Sequence, residues 1–217
     1  LIPGGQRWKG FDRSVPADFS SATFFLVAGA ALDAEIELTG LDLNDSQGDK
    51  AVIGYLRKMG AEIEVEEITR TIRVKRSSLH GAELDLNATP DALPAMAVAG
   101  ALSKGVTRLV NVAQARVKET DRIEVMAHEL QRMGVDVEEL PDGLVVHGAN
   151  GKIQGSNLLN GHGDHRIVMA LSLAAMAADS PSRIDTAEAV AVTFPDYVGL
   201  MKSLGAAMQI ERATLEI

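Results

Sequence analysis

Three families of marker residues recur along the chain at one spacing, and a period of that length restricts the fold to a stack of similar units. Asp18, Asp91 and Asp164 stand 73 residues apart, each shortly before an Ala-rich apolar stretch at residues 22–32, 92–102 and 167–178. Gly60, Gly134 and Gly205 stand 74 and 71 residues apart, within the similar runs 56–61, 130–135 and 201–206. Asp49, Asp121 and Asp196 lie near the start of the helix that each of these glycines ends. Asp suits a helix start because its carboxylate accepts the unpaired N–H groups of the first turn. Gly suits the position past the last turn because it takes the left-handed conformation without steric cost. Beyond each Gly, apolar residues alternate (Ile63 and Val65, Val135 and Val137, Met208 and Ile210), which is the period of a strand.

Each unit is therefore expected to run strand, helix, strand, helix, strand, with a further strand in at least the first two. The units span roughly residues 15–76, 88–146 and 161–217 of a single domain. The first helix of each is apolar on nearly every side and belongs at the centre rather than on a surface. The expected fold is an inside-out α/β (α+β) assembly, with helices packed inside and three sheets outside. Equivalent helices would run parallel, with their N-termini at one end. Such termini carry partial positive charge and free N–H groups, so several together favour a phosphate or carboxylate.

The chain has 217 residues, 46% of them hydrophobic and only 4% aromatic, so its core must be aliphatic. With no cysteine there is no disulfide, thiolate zinc site or cysteine nucleophile, and a reducing, cytoplasmic setting is expected. No apolar run is long enough to span a bilayer. A net charge of −9 argues against a nucleic-acid surface but leaves room for a local cluster that binds a small anion. The chain opens at Leu1 and reads as a piece of something longer.

Chemistry concentrates in three places. Residues 115–123 alternate both signs of charge at a strand-to-helix junction. Arg122, in the first helical turn, gains nothing from the helix dipole and needs another partner, such as a bound anion; a solvated charged turn is the alternative. Residues 161–166 open the most apolar helix with His162, Asp164, His165 and Arg166. Arg can grip a carboxylate or phosphate there through two parallel bonds. A metal reading lacks the i, i+4 spacing and a further ligand, so none is expected. Asp91 follows Thr89-Pro90 and is either a cap or a functional carboxylate. The turns at Asp18-Phe19-Ser20-Ser21 and Ser46-Gln47-Gly48-Asp49 read as capping alone.

The run Arg116-Val117-Lys118-Glu119-Thr120-Asp121-Arg122 resembles the Lys-Glu-[Ser/Thr]-Asp-Arg signature of the enolpyruvylshikimate-phosphate synthases. Asp164-His165-Arg166 resembles their Asp-His-Arg helix, Pro90-Asp91-Ala92 their Pro-Asp turn, and Thr193-Phe194-Pro195-Asp196 their near-terminal Phe-Pro element. The likeness runs from about Gln6 to Ala206. It implies a two-domain enzyme of which this chain is the C-terminal domain, without its N-terminal partner. It also implies transfer of the enolpyruvyl group of phosphoenolpyruvate to the 5-hydroxyl of shikimate 3-phosphate, with no cofactor. Carried over residue by residue, Arg122 and Arg166 hold phosphoenolpyruvate, accompanied by His165. Lys118 and Gln114 (often Asn in relatives) contact shikimate phosphate. Asp91 and Glu119 are the catalytic carboxylates. One departure is Val192, where many relatives carry a phosphoenolpyruvate-binding Lys. The rivals are the sister transferase acting on UDP-N-acetylglucosamine and a non-enzymatic repeat scaffold, which would leave these charges pointing in unrelated directions.

Overall fold

A computed structural model describes residues 1–156 and 158–211. The first unit holds α1 (Phe19–Ala31), β1 (Glu35–Thr39), α2 (Val52–Lys58), β2 (Glu62–Glu66) and β3 (Thr71–Lys75). The second holds β4 (Glu83–Asp85), α3 (Leu93–Leu102), β5 (Lys104–Val110), α4 (Arg122–Arg132), β6 (Asp136–Leu140) and β7 (Gly143–Ala149). The third holds β8 (Leu159–Asn160), α5 (His165–Ala177), β9 (Ile184–Asp185) and α6 (Tyr197–Ser203). Short 3-10 turns at Gly48–Ala51, Pro90–Ala92, Ala113–Val117 and Ala187–Val192 lead towards or into the helices.

Each unit contributes its own sheet: β1-β3-β2, β4-β5-β7-β6 and the short pair β8-β9. Val74 of β3 stands between Ile36 and Ile63, one from each flanking strand, so the apolar side chains of this sheet line up in rows. The inner helices follow the expected plan. α3 is buried from Leu93 to Ala101, and α1 and α5 are buried over most of their length, because none has a polar face to give to water. The carboxyl ends of these three helices line one hollow, through Ala31, Leu102, Met176 and Ala177, as parallel helices require. Gly60, Gly134 and Gly205 all take the left-handed backbone that ends the outer helices, with φ of 94°, 78° and 98°.

Two expected strands are missing among the described residues. Units two and three open on β4 and β8, each paired in parallel with the strand after the inner helix. Among the described residues nothing pairs this way with β1. Residues before Phe19 carry no strand, and only the Ala17 N–H reaches the β1 side, at the Gly40 carbonyl. The closing strand expected at Met208 and Ile210 is also absent through Glu211. In the first two units the equivalent strand pairs with a hairpin partner, β3 or β7, and among the described residues the third unit has no such partner. The rest of that expected strand lies outside the described residues.

Candidate active site

Four helix starts meet at one end of the molecule, each bringing charge. Asp18 caps α1 through the N–H groups of Ser20 and Ser21, Asp121 caps α4 through Ile123 and Glu124, and Asp164 caps α5 through Arg166. Asp91 breaks the pattern. It lies inside the 3-10 turn that starts at Pro90, and no side chain caps that turn. Its carboxylate instead faces three cations: Arg122 Nη1 at 2.8 Å, Lys118 Nζ at 3.1 Å and Arg166 Nη2 at 3.2 Å. The capping alternative for Asp91 therefore falls away, because its oxygens meet these cations and cap no backbone N–H of the turn.

Arg122 sits beneath the cluster with its side chain 1% exposed. Asp164, fully buried, takes Nε at 2.7 Å and Nη2 at 3.2 Å; Asp91 takes Nη1, and Glu119 takes Nη2 at 2.6 Å. The partner sought for Arg122 is thus internal. A guanidinium buried this deeply needs a counter-charge on every edge, and three carboxylates supply it. Arg166 is less committed: besides Asp91 it donates to Ser20 Oγ at 3.0 Å, tying the start of α5 to the start of α1. His165 Nδ1 lies 3.7 Å from Asp164 Oδ1.

The charges act on one another strongly. Burial would raise the Asp91 carboxyl, but Arg166, the Lys118 hydrogen bond and Arg122 outweigh it and hold the group below the usual carboxylate range. Asp49 goes the other way: burial pushes it up, and the charges of Asp91 and Asp18 add to this against Arg166. Burial, then the Arg166 charge, pushes the His165 imidazole below the ordinary histidine value. The result is a patch where fixed cations and carboxylates neutralise each other.

The structure joins Asp91, Lys118, Glu119, Arg122, Arg166 and His165 in this network. Gln114 stands apart: its amide donates to the Asn87 carbonyl at 2.6 Å and lines a polar hollow with Asp85, Asn87, Asn111 and Asp142. Among the described residues no group of His, Asp and Glu is arranged to hold a metal; His162 turns away from Asp164 towards Glu129. Ser20, Asp49 and Asp164 were not among the expected site residues. Asp164 was visible beside His165 and Arg166 but looked fully explained as a cap. Ser20 and Asp49 read as capping and turn residues in the sequence, since only the stacking of the units brings them here. Convergence of the motif cations on one carboxylate runs against the scaffold reading.

Solved structures with this architecture define the class. EPSP synthase from Acinetobacter baumannii matches over 91% of this chain and 48% of its own, with a TM-score of 0.83 and 32% identity. The enolpyruvyl transferase NikO from Streptomyces tendae shares the fold, with a TM-score of 0.70 at 19% identity. The family model of EPSP synthase (3-phosphoshikimate 1-carboxyvinyltransferase) matches residues 1–201. Curated relatives of that name from Ruminiclostridium cellulolyticum and Acetivibrio thermocellus are 52% and 51% identical over 97% and 94% of this chain. The chain belongs to the EPSP synthase family. It spans about half the length of those relatives, 49% and 47%.

Proposed function

We propose that this chain is the C-terminal half of a 3-phosphoshikimate 1-carboxyvinyltransferase and works with an N-terminal half across an anionic cleft. The reaction adds the 5-hydroxyl of shikimate 3-phosphate to the central carbon of phosphoenolpyruvate, then eliminates phosphate. Glu119 delivers a proton to the methylene carbon as the C–O bond forms, and Asp91 takes the hydroxyl proton. Glu119 then removes a proton from the new methyl group as the phosphate–carbon bond breaks, which restores the double bond. Arg122, once the anion displaces Asp91 from its Nη1, and Arg166, with His165, hold phosphoenolpyruvate and stabilise the departing phosphate. Lys118 and Gln114 contact shikimate phosphate. Val192, where many relatives have Lys, is 80% exposed; either a lysine elsewhere serves there or phosphate binding is weaker. A cytoplasmic setting fits the cysteine-free composition.

One observation carries the proposal: Arg122 and Arg166, from different repeats, reach the two oxygens of one carboxylate, at 2.8 and 3.2 Å. The test uses the complete two-half enzyme. Glu119→Gln should slow solvent-deuterium entry at the methylene carbon far more than Asp91→Asn does. Equal slowing would overturn the division of roles. The isolated chain should fold and give no product; measurable turnover by it alone would refute the half-site reading.

A further inference from the structure

Glu129 is a buried carboxylate that the proposed chemistry does not use. It lies on α4, seven residues after Arg122, so the two share one face of the helix two turns apart. Both are 1% exposed. Arg122 grips Asp164. Glu129 grips the other end of the same turn: its Oε2 accepts the Asn160 N–H at 3.1 Å, and His162 Nε2 lies 3.5 Å from Oε1. Arg132 closes on Glu129 from the next turn at 3.1 Å and donates to the Leu158 carbonyl, while His128 Nδ1 stands 3.1 Å from Oε1.

The gripped turn has almost no slack. His162 is left-handed, with φ of 53°, and Asn160 Oδ1 accepts its N–H at 2.8 Å. A methyl group on Gly161 would meet Val168 Cγ2 at 2.3 Å and the Asp185 carbonyl at 2.8 Å, so α5 presses directly on the backbone. On the far side, the Gly163 N–H donates to Thr186 Oγ1 at 3.0 Å. Immediately afterwards come Asp164, His165 and Arg166. A slide of this turn along α4 by a fraction of a helical turn would separate Arg122 from Asp164 and swing Arg166 off Asp91. Burial would raise the Glu129 carboxyl, but the Asn160 N–H, His128, Arg132 and His162 outweigh it and keep it ionised.

We infer that Glu129 is a positioning residue: with Arg122 it clamps the turn from Asn160 to Asp164 at two points on α4, and so fixes the separation of the two anion-holding arginines. It touches no ligand. What the arginines bind rests on the function proposed above; the clamp itself does not.

The test uses this chain with inorganic phosphate as probe, at a temperature well below each variant's unfolding midpoint. The ligand-free readout is the Arg122 Nε–H resonance in nitrogen-15 NMR, since that group is solvent-excluded and bound to Asp164. Glu129→Ala should shift this signal, speed its exchange about tenfold and weaken phosphate binding about tenfold. Glu129→Gln keeps an acceptor for the Asn160 N–H and should recover most of both effects, which a general loss of stability would not allow. His162→Gly, whose backbone favours glycine, removes one leg of the clamp and should give about a threefold loss of affinity. An unmoved Arg122 signal and wild-type affinity in a folded Glu129→Ala would overturn the inference. If that variant does not fold, wild-type values of both readouts in His162→Gly would overturn it. A wild type that binds no phosphate would instead sink the functional reading, and the Arg122 resonance would still judge the clamp.

Discussion

Replacing Asp91 by Asn should weaken the fold and tighten anion binding at the same time. In the ligand-free chain this carboxylate occupies the place an incoming anion would take among Arg122, Lys118 and Arg166, at 2.8 to 3.2 Å from each. Two unit charges 4 Å apart interact by about 1 kcal/mol in water and about 4 kcal/mol at an effective dielectric of 20. The Asp91 and Lys118 side chains are 29% and 32% exposed while Arg122 is 1% exposed, so the site lies between these limits. Removing the negative charge should therefore lift about 1–2 kcal/mol of repulsion, or roughly five- to thirtyfold tighter binding of inorganic phosphate. The fold should lose about 1–3 kcal/mol, because charge-assisted hydrogen bonds go while Arg122 keeps Asp164 and Glu119. The loss depends on pH in a fixed sense. The folded Asp91 carboxyl is depressed, so its contribution is present above the ordinary Asp value and fades as pH falls through the folded one. Calorimetric phosphate titration of both proteins measures the first effect, and urea unfolding between pH 7 and pH 3 the second. Weaker phosphate binding by Asp91→Asn would refute the idea that this carboxylate competes with the ligand.

His165 is held below its ordinary value by burial and then by Arg166, so the unfolded chain protonates first as pH falls. Stability should drop as pH falls through the ordinary histidine range, and His165→Asn should flatten that part of a stability profile measured by urea melts. Gly60 and Gly205 are both left-handed, but a methyl group on Gly60 would meet His80 Nδ1 at 2.8 Å, whereas Gly205 faces open space. Ala at 205 should cost about 1 kcal/mol from backbone strain alone, and Ala at 60 should cost more; equal losses in thermal melts would contradict the packing at His80.

The Asp and Gly spacings mark the inner and outer helices of each unit, α1 with α2, α3 with α4 and α5 with α6. Capping is why this was legible: a cap acts over two or three residues, so the residue type and the structure it creates stay adjacent in the chain. The same locality leaves Asp91 open between a cap and a functional carboxylate. By spacing it is the sibling of Asp18 and Asp164, yet a 3-10 turn one residue out of step hands it to the cations instead. The strands missing before Phe19 and between α6 and Glu211 show a second limit, since alternation describes a strand's faces but does not supply its neighbour.

The site divides in the same way. Lys118, Glu119, Arg122, His165 and Arg166 announced themselves as charges crowded at helix starts, where backbone N–H groups already favour an anion. What each one touches was decided only by packing. Arg122 meets Asp164 from 42 residues away, and Arg166 meets Ser20 from 146 residues away. Glu129, on the face of an amphipathic helix, gave no sign that it was buried against the turn of another repeat. Ion pairs between units depend on how the inner helices stack, and the sequence encodes that stacking only through the summed shape of an apolar interior.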